Sequence, residues 1–463
     1  MKAVCTVLIA CVTMFLVPTA VAQDARRITP EQIDRLVKPY LDAKRINAIS
    51  IGVIDGDVSL THHLGTLSRD IPNPPTDQTI YEIGSISKVF TSLLLASEIE
   101  AGNLKLTSTV GELLPDVSKA NPALNSVQLV QLATHTSGLP RMPANLDLSN
   151  VTDPYATYSR ESLHTYLSSI DPAAKPGEKS EYSNLAVGLL GDVIAMRSGD
   201  DYDVLIRRVI AEPLGMTDTG AMLDPSCLSD SQKSRLAPPH DANLDANYNW
   251  HFASLAGAGS VFSTTSDMLR FAAASLDPPD NDLGKAMRLS QQKHAAPIGS
   301  GVAMGLGWHF ARDKQTLWHN GQTGGYHTML MVNPKLNAAV VVLCNTAMGD
   351  VDALAGQFIQ TIAGMNVEPK SFDEALTVPA ETVARLAGQY EIAPGAVLTV
   401  RVDQSQLFAQ LTGQPEVQIF AISKTKWKYR VVEATIEFEL PDSGPASSLT
   451  LIQSGMKVPG KRK

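Results

Sequence analysis

Cysteine is scarce in this chain of 463 residues: there are four, and two of them, Cys5 and Cys11, fall in an apolar run near the N-terminus. A disulfide-framework protein is thereby excluded. Cys344 ends the run Ala339-Val340-Val341-Val342-Leu343 and reads as a buried apolar residue, with Cys227 left open as a pairing partner. No closely spaced Cys/His cluster suggests structural zinc, and neither a metal nor a cofactor is expected. Positive charge is also in deficit. With a formal net charge of -9 the chain repels polyanions, which argues against nucleic acid as a partner. After the N-terminal run, no stretch approaches the roughly 20 apolar residues that a membrane span needs, and no internal repeat is visible.

The N-terminal run has its own reading. Lys2 is followed by apolar residues from Ala3 to Val17, then Pro18 and the small triplet Ala20-Val21-Ala22. That order is expected of a cleavable export signal over 1–22, cut before Gln23. Hydrophobic residues continue after Cys11, which argues against lipid attachment there. The expected mature protein is therefore soluble and periplasmic or secreted, and loss of Lys2 makes it one charge more negative. Its length allows a large core and two or three domains.

Periodicity then organises the chain. An amphipathic helix is predicted at about Glu31 to Ala43, followed by a hairpin of Ala48 to Ile54 and Val58 to Gly65 around Asp55-Gly56-Asp57. Helical periodicity runs from Val89 to Ala101 and puts Ser85 at the entrance of a long helix. From Leu104 to about Asp277 the chain reads as helical and loop-rich. Strand-like runs return at Trp308 to Phe310, Leu317 to Asn320, Tyr326 to Val332 and Ala338 to Leu343, before a helix at Val351 to Ile362. Strands at both ends with helices between predict an α+β fold: one antiparallel sheet shared by the two ends of the region, beside a helical lobe. Beyond a linker at 368–385, short runs at Val397 to Val402, Leu407 to Leu411, Val417 to Ile422, Tyr429 to Val432, Thr435 to Leu440 and Leu449 to Ile452 predict a small all-β, barrel-like domain over 386–463. The first, α+β region would then span 23–367.

Acyl transfer by serine needs a hydroxyl, a neighbouring base and donors for the developing oxyanion. Ser85 and Lys88 lie three apart, on one face of a helix. The helix N-terminus and partial burial both disfavour an ammonium there. The spacing recurs at Ser290/Lys293, Ser423/Lys426 and Ser454/Lys457. The last two fall in the β-rich tail, where positions three apart face opposite sides, and Ser290 reads as part of a solvated helix face. A second element is Tyr182-Ser183-Asn184, the only Tyr-x-Asn among eleven tyrosines, just before an apolar helix from Leu185 to Ala195. Tyr182, as phenol or phenolate, would relay the serine proton and the Asn184 amide would hold a substrate carbonyl; the competing reading makes Ser183 or Asn184 a helix cap. The third is His319-Asn320-Gly321-Gln322-Thr323-Gly324-Gly325, a strand edge where glycine permits close approach and Gln322 offers a backbone donor.

Together and in this order, the three elements resemble the serine hydrolases related to class C β-lactamases and penicillin-binding D-Ala-D-Ala carboxypeptidase/endopeptidases. The resemblance spans roughly Ile46 to Ile362 and includes Leu132 to Pro140, Pro213 to Met216, Ala258 to Thr264 and Gly305 to Trp308. It implies a β-lactamase/transpeptidase-like fold, with Ser85 as nucleophile and Lys88 and Tyr182 in proton transfer. It further implies substrate contacts at Asn184, His319, Gly321 and Gln322, with the amides of Ser85 and Gln322 as oxyanion donors. His135 is expected to be structural, closing a helix at Gly138.

The departure from the pattern is His319, where β-lactamases of this type have lysine. A mostly neutral imidazole is poorly suited to a substrate carboxylate, so the resemblance points to a D-amino-acid peptidase or amidase. A β-lactamase or esterase using the same groups, a penicillin-acylated sensor and a non-catalytic binding protein are the alternatives. The C-terminal part is similar to small barrel-like modules that follow some of these hydrolases.

Overall fold

The computed structural model describes residues 28–463 except 148, 151, 173, 300, 373–375, 404, 405, 415, 431, 433 and 454. The export signal and Ser454 lie outside the described residues.

Eight residues of unbroken burial, Ala48–Asp55, form the strand β1, and Val58–Gly65 returns as β2. Strands β3 (Ile80–Glu82), β4 (Gly220–Ala221) and β5 (Val261–Thr264) make a separate small sheet in the order β3-β5-β4. Four strands near the end of the first region, β6 (His309–Phe310), β7 (Leu317–Gln322), β8 (His327–Asn333) and β9 (Ala338–Cys344), join β1 and β2 in a six-stranded antiparallel sheet of order β2-β1-β9-β8-β7-β6. The pairing of β1 with β9 unites the two ends of the region, as the strand distribution predicts.

Strand β9 shows why its sequence is an unbroken apolar run. Val340, Val342 and Cys344 pack under the helices Pro30–Asp42 and Val351–Ile362, while Ala339, Val341 and Leu343 face the helical lobe. Both faces of the strand are covered, so alternation disappears. Each fully buried valine contributes about 1.5–3 kcal/mol. Cys344 and Cys227 are both free thiols, and burial pushes the Cys344 thiol up to about 12.

The C-terminal region is a closed eight-stranded antiparallel barrel, β10 (Gly388–Ala393), β11 (Ala396–Asp403), β12 (Gln406–Leu411), β13 (Val417–Ala421), β14 (Lys426–Tyr429), β15 (Ala434–Glu439), β16 (Ser448–Gln453) and β17 (Met456–Arg462). Tyr390, Leu398, Val400, Leu407, Ile419, Trp427, Ile436 and Phe438 fill it. The predicted strand at Tyr429 to Val432 is displaced: the strand is Lys426–Tyr429, because Trp427 faces the barrel core whereas Val432 is solvent-exposed. The two closing strands carry weak signals of their own. Strand β17 contains Pro459 and Gly460 and owes its place to pairing with β16 and β10. Among the described residues no helix is long and apolar enough to cross a membrane.

Candidate active site

The turn that carries Ser85 begins with Gly84 at φ +52 and continues as a 3-10 turn, Gly84–Ile86, into the helix Ser87–Glu100. A Cβ on Gly84 would lie 2.6 Å from the backbone nitrogen of Gln322, so glycine brings the end of β7 against the turn that carries Ser85. Gly321 is needed for the same closeness, since its Cβ would stand 1.9 Å from the Ile83 carbonyl oxygen. The Ser85 amide, in the first turn, has no intrahelical acceptor, and Gly84 beside it lies against the Gln322 backbone.

Lys88 is fully buried, with Nζ 2.9 Å from Ser85 Oγ and donating to the Ala258 carbonyl at 2.6 Å. Burial, reinforced by the charge of Arg141, holds this amine well below the usual lysine range. Neutral Nζ can donate one hydrogen to Ala258 and turn its lone pair to the serine hydroxyl. Tyr182 bonds Ser85 through its hydroxyl, and burial drives the phenol above its ordinary value. The phenol rather than the phenolate is therefore the resting form, which decides between the two forms the sequence left open.

Cap and site coincide at the next residues. Ser183 caps the helix Asn184–Ser198 by accepting from Ala186 N at 2.9 Å, and its hydroxyl donates to Pro140 O at 2.6 Å. Asn184 donates to the Tyr155 hydroxyl at 3.2 Å, while its Oδ1 is buried without a partner among the described residues. That buried atom is an acceptor, whereas the amide nitrogen is taken up by Tyr155 and the Met142 sulfur. His135 does not close a helix at Gly138: the preceding helix Leu129–Ala133 ends earlier, and His135 itself takes a left-handed φ of 58. Its Nδ1 accepts from Ser183 N at 3.2 Å and its ring packs 4.5 Å from that of Tyr182, so it supports the tyrosine loop.

In β7 the alternation of burial separates the third motif into two sets. Asn320 and Gln322 line the cleft, whereas His319 and Gly321 point into the protein. His319 is 0% exposed, its Nδ1 lies 2.6 Å from Asn320 O and its Nε2 has no partner among the described residues. Burial, then the neighbouring His309 and Lys88, push it well below the ordinary histidine value, so it is uncharged. Across the hairpin His327 contacts Gln322 Oε1 at 3.0 Å through Nδ1 and Asp352 Oδ1 at 2.7 Å through Nε2, and Asn320 donates to Asp352 at 2.7 Å.

The cleft above Ser85 has a volume of about 600 Å³. Arg141, Met142, Tyr155 and Asn184 form one wall, Asn320, Gln322, Thr323 and His327 another, and Trp250 and Phe252 stand at the side. Sequence reasoning did not reach Arg141, Tyr155 or Trp250, which lie on loops without periodicity. Nor did it give a role to Glu82, whose buried carboxyl accepts from Asn249 Nδ2 at 2.7 Å and Trp250 N at 3.0 Å. Burial pushes Glu82 up to about 7. It ties the Trp250 segment to the chain just before Ser85.

The other Ser-x-x-Lys pairs are separated by structure. Ser290 is buried and bonds Met287 O at the end of the helix Asp282–Gln291, which corrects its reading as part of a solvated face. Ser423 accepts from the Lys426 amide in a turn before β14. Among the described residues no group of three or more His, Cys, Asp or Glu is placed to hold a metal.

A serine, a buried lysine and a tyrosine converge at a strand edge, the kinds of group that acyl transfer by serine needs. Residues 33–362 match the Beta-lactamase family model, and the chain belongs to that family of serine hydrolases. Residues 373–458 match a domain family of unknown function, DUF3471. The chain is 29% identical over 337 residues to the D-alanyl-D-alanine-carboxypeptidase/endopeptidase AmpH of Escherichia coli (strain K12), covering 68% of this chain and 84% of that one. It is 24% identical over 454 residues to a penicillin-binding protein of Bacillus subtilis (strain 168), covering 92% and 97%. A solved class C β-lactamase superposes with a TM-score of 0.63 at 20% identity, covering 73% of this chain and 97% of that one, which shows the shared fold.

Proposed function

We propose that the protein is an exported acyl-serine hydrolase acting on D-amino-acid peptides or amides, in the manner of a D-Ala-D-Ala carboxypeptidase/endopeptidase. Ser85 Oγ attacks the scissile carbonyl carbon and its proton passes to neutral Lys88. The oxyanion is held by the amides of Ser85 and Gln322. Tyr182 gives its phenolic proton to the leaving nitrogen and is replenished from the Lys88 ammonium. Water then attacks the acyl-enzyme with Lys88 as base, releasing the acid and Ser85.

The observation that carries the choice of substrate is His319: at the position where β-lactamases of this type have lysine, the side chain is buried and uncharged. The similarity to the D-alanyl-D-alanine-carboxypeptidase/endopeptidase AmpH agrees with it. The test is intact-mass detection of an acyl-enzyme across penicillin, cephalosporin, a D-Ala-D-Ala peptide, a D-aminoacyl amide and a short ester. Turnover of the peptide or amide faster than the β-lactams is expected. Faster β-lactam turnover would make the protein a β-lactamase, and stable acylation by penicillin with no turnover a sensor. His319→Lys should raise β-lactam turnover; unchanged turnover contradicts the role given to His319.

A further inference from the structure

One cation in the cleft has no counterpart among the described residues. Arg141 is exposed, its guanidinium lies 5.0 Å from the centre of the Tyr182 ring, and it makes no ion pair or side-chain hydrogen bond among the described residues. Its carbonyl accepts from Asn184 N at 2.9 Å, which fixes it beside the start of the helix that follows Tyr182. The other basic groups around Ser85 are unavailable. Lys88 is buried and bonded to Ala258 O. His135 and His319 are buried and held neutral, and His309 is pushed down to about 4 by burial. His327 pairs with Asp352. The nearby acids are also engaged, Glu82 with Asn249 and Trp250 N, and Asp153 with His251.

A guanidinium stacked on an aromatic face keeps its edge N–H groups free, and that edge matches a carboxylate in a two-pronged contact. Asn184 lines the same wall. We propose that Arg141 is the specificity residue of the cleft and docks a carboxylate that flanks the scissile bond, taking over the anion recognition that buried His319 does not provide. The proposal rests on the acyl-enzyme reading above.

The test compares acylation of Ser85 by matched acyl donors that differ in one carboxylate. Benzylpenicillin against its methyl ester varies the leaving-group side, and carbenicillin against benzylpenicillin varies the acyl side. The readout is the ratio of second-order acylation rates within each pair, by intact mass. In the native enzyme one pair should favour the carboxylate about tenfold or more. Arg141→Gln should bring that ratio close to one, and Arg141→Lys should restore part of it. The pair that responds identifies the side. A native enzyme with no preference in either pair, or a ratio that Arg141→Gln leaves in place, overturns the proposal. A variant slowed equally on both members falls in the second case, with Arg141 acting through Tyr182 or Lys88. Because only acylation is read, failure to cleave D-Ala-D-Ala peptides would overturn the peptidase reading and leave this result standing.

Discussion

The cleft and the barrel bury opposite kinds of group. Around Ser85, Lys88 and His319 are fully buried, the carboxyl of Glu82 lies under the wall, and polar atoms of His135, Asn184, His309 and His319 have no partner among the described residues. Inside the barrel the buried side chains are apolar, with Trp427 Nε1 the orphan atom among those described. Buried unsatisfied groups cost stability, so the first region holds a configuration that folding alone would not select. The proposed chemistry accounts for it: a base must be stripped of water to lose its proton near neutral pH. The barrel interior shows only the signature of stability.

Substitutions can break this contrast. The largest effect is expected for Ser85→Ala, which should abolish the covalent adduct with penicillin or a fluorophosphonate, a loss above about a thousandfold in rate. An adduct that persists would remove Ser85 from its role. Next, Lys88→Met should slow acylation by about 10²–10⁴ while the unfolding midpoint stays level or rises, since a buried amine is replaced by an apolar chain of similar length. Trp427→Ala should do the reverse. It should cost about 3–5 kcal/mol in denaturant unfolding and leave the acylation rate of the folded protein in place. Equal behaviour of these two variants would erase the distinction between the regions.

Two pH effects are smaller. With Lys88 as the proposed base, the acylation rate should rise with pH and level off well below the ordinary lysine value of ~10.4. Because the folded value is the lower one, the unfolded chain binds more protons, and this group's contribution to stability increases with pH across that window. Glu82 has the opposite sign. Its folded value is raised from 4.5 to about 7, so its contribution is fully present below 4.5 and is lost as pH climbs to about 7. Glu82→Gln keeps an acceptor for Asn249 and Trp250 and should remove that decline, seen as a higher melting temperature at pH 8 with little change at pH 5.

Much of this was legible in the chain. The hairpin Ala48 to Gly65, the helix after Ser85 and the strands flanking Asn333-Pro334-Lys335 follow from local periodicity, and the observed elements lie within a few residues of it. The Ser85/Lys88 spacing survives the change from 3-10 turn to α-helix, because the turn keeps both on one side. His319 was harder. Sequence sets the period of two along β7, but the identity of its inner face depends on what β7 packs against.

The sequence by itself determined the element order, the three motifs and the absence of a lysine at position 319, since spacing and residue type are local properties. Tertiary structure alone decided that Lys88 is dehydrated and His319 uncharged and buried. It also decided that Arg141 stands beside Tyr182 with no ion-pair partner among the described residues. Those are properties of dielectric and contact, and both are set by chain segments that meet only when the protein folds.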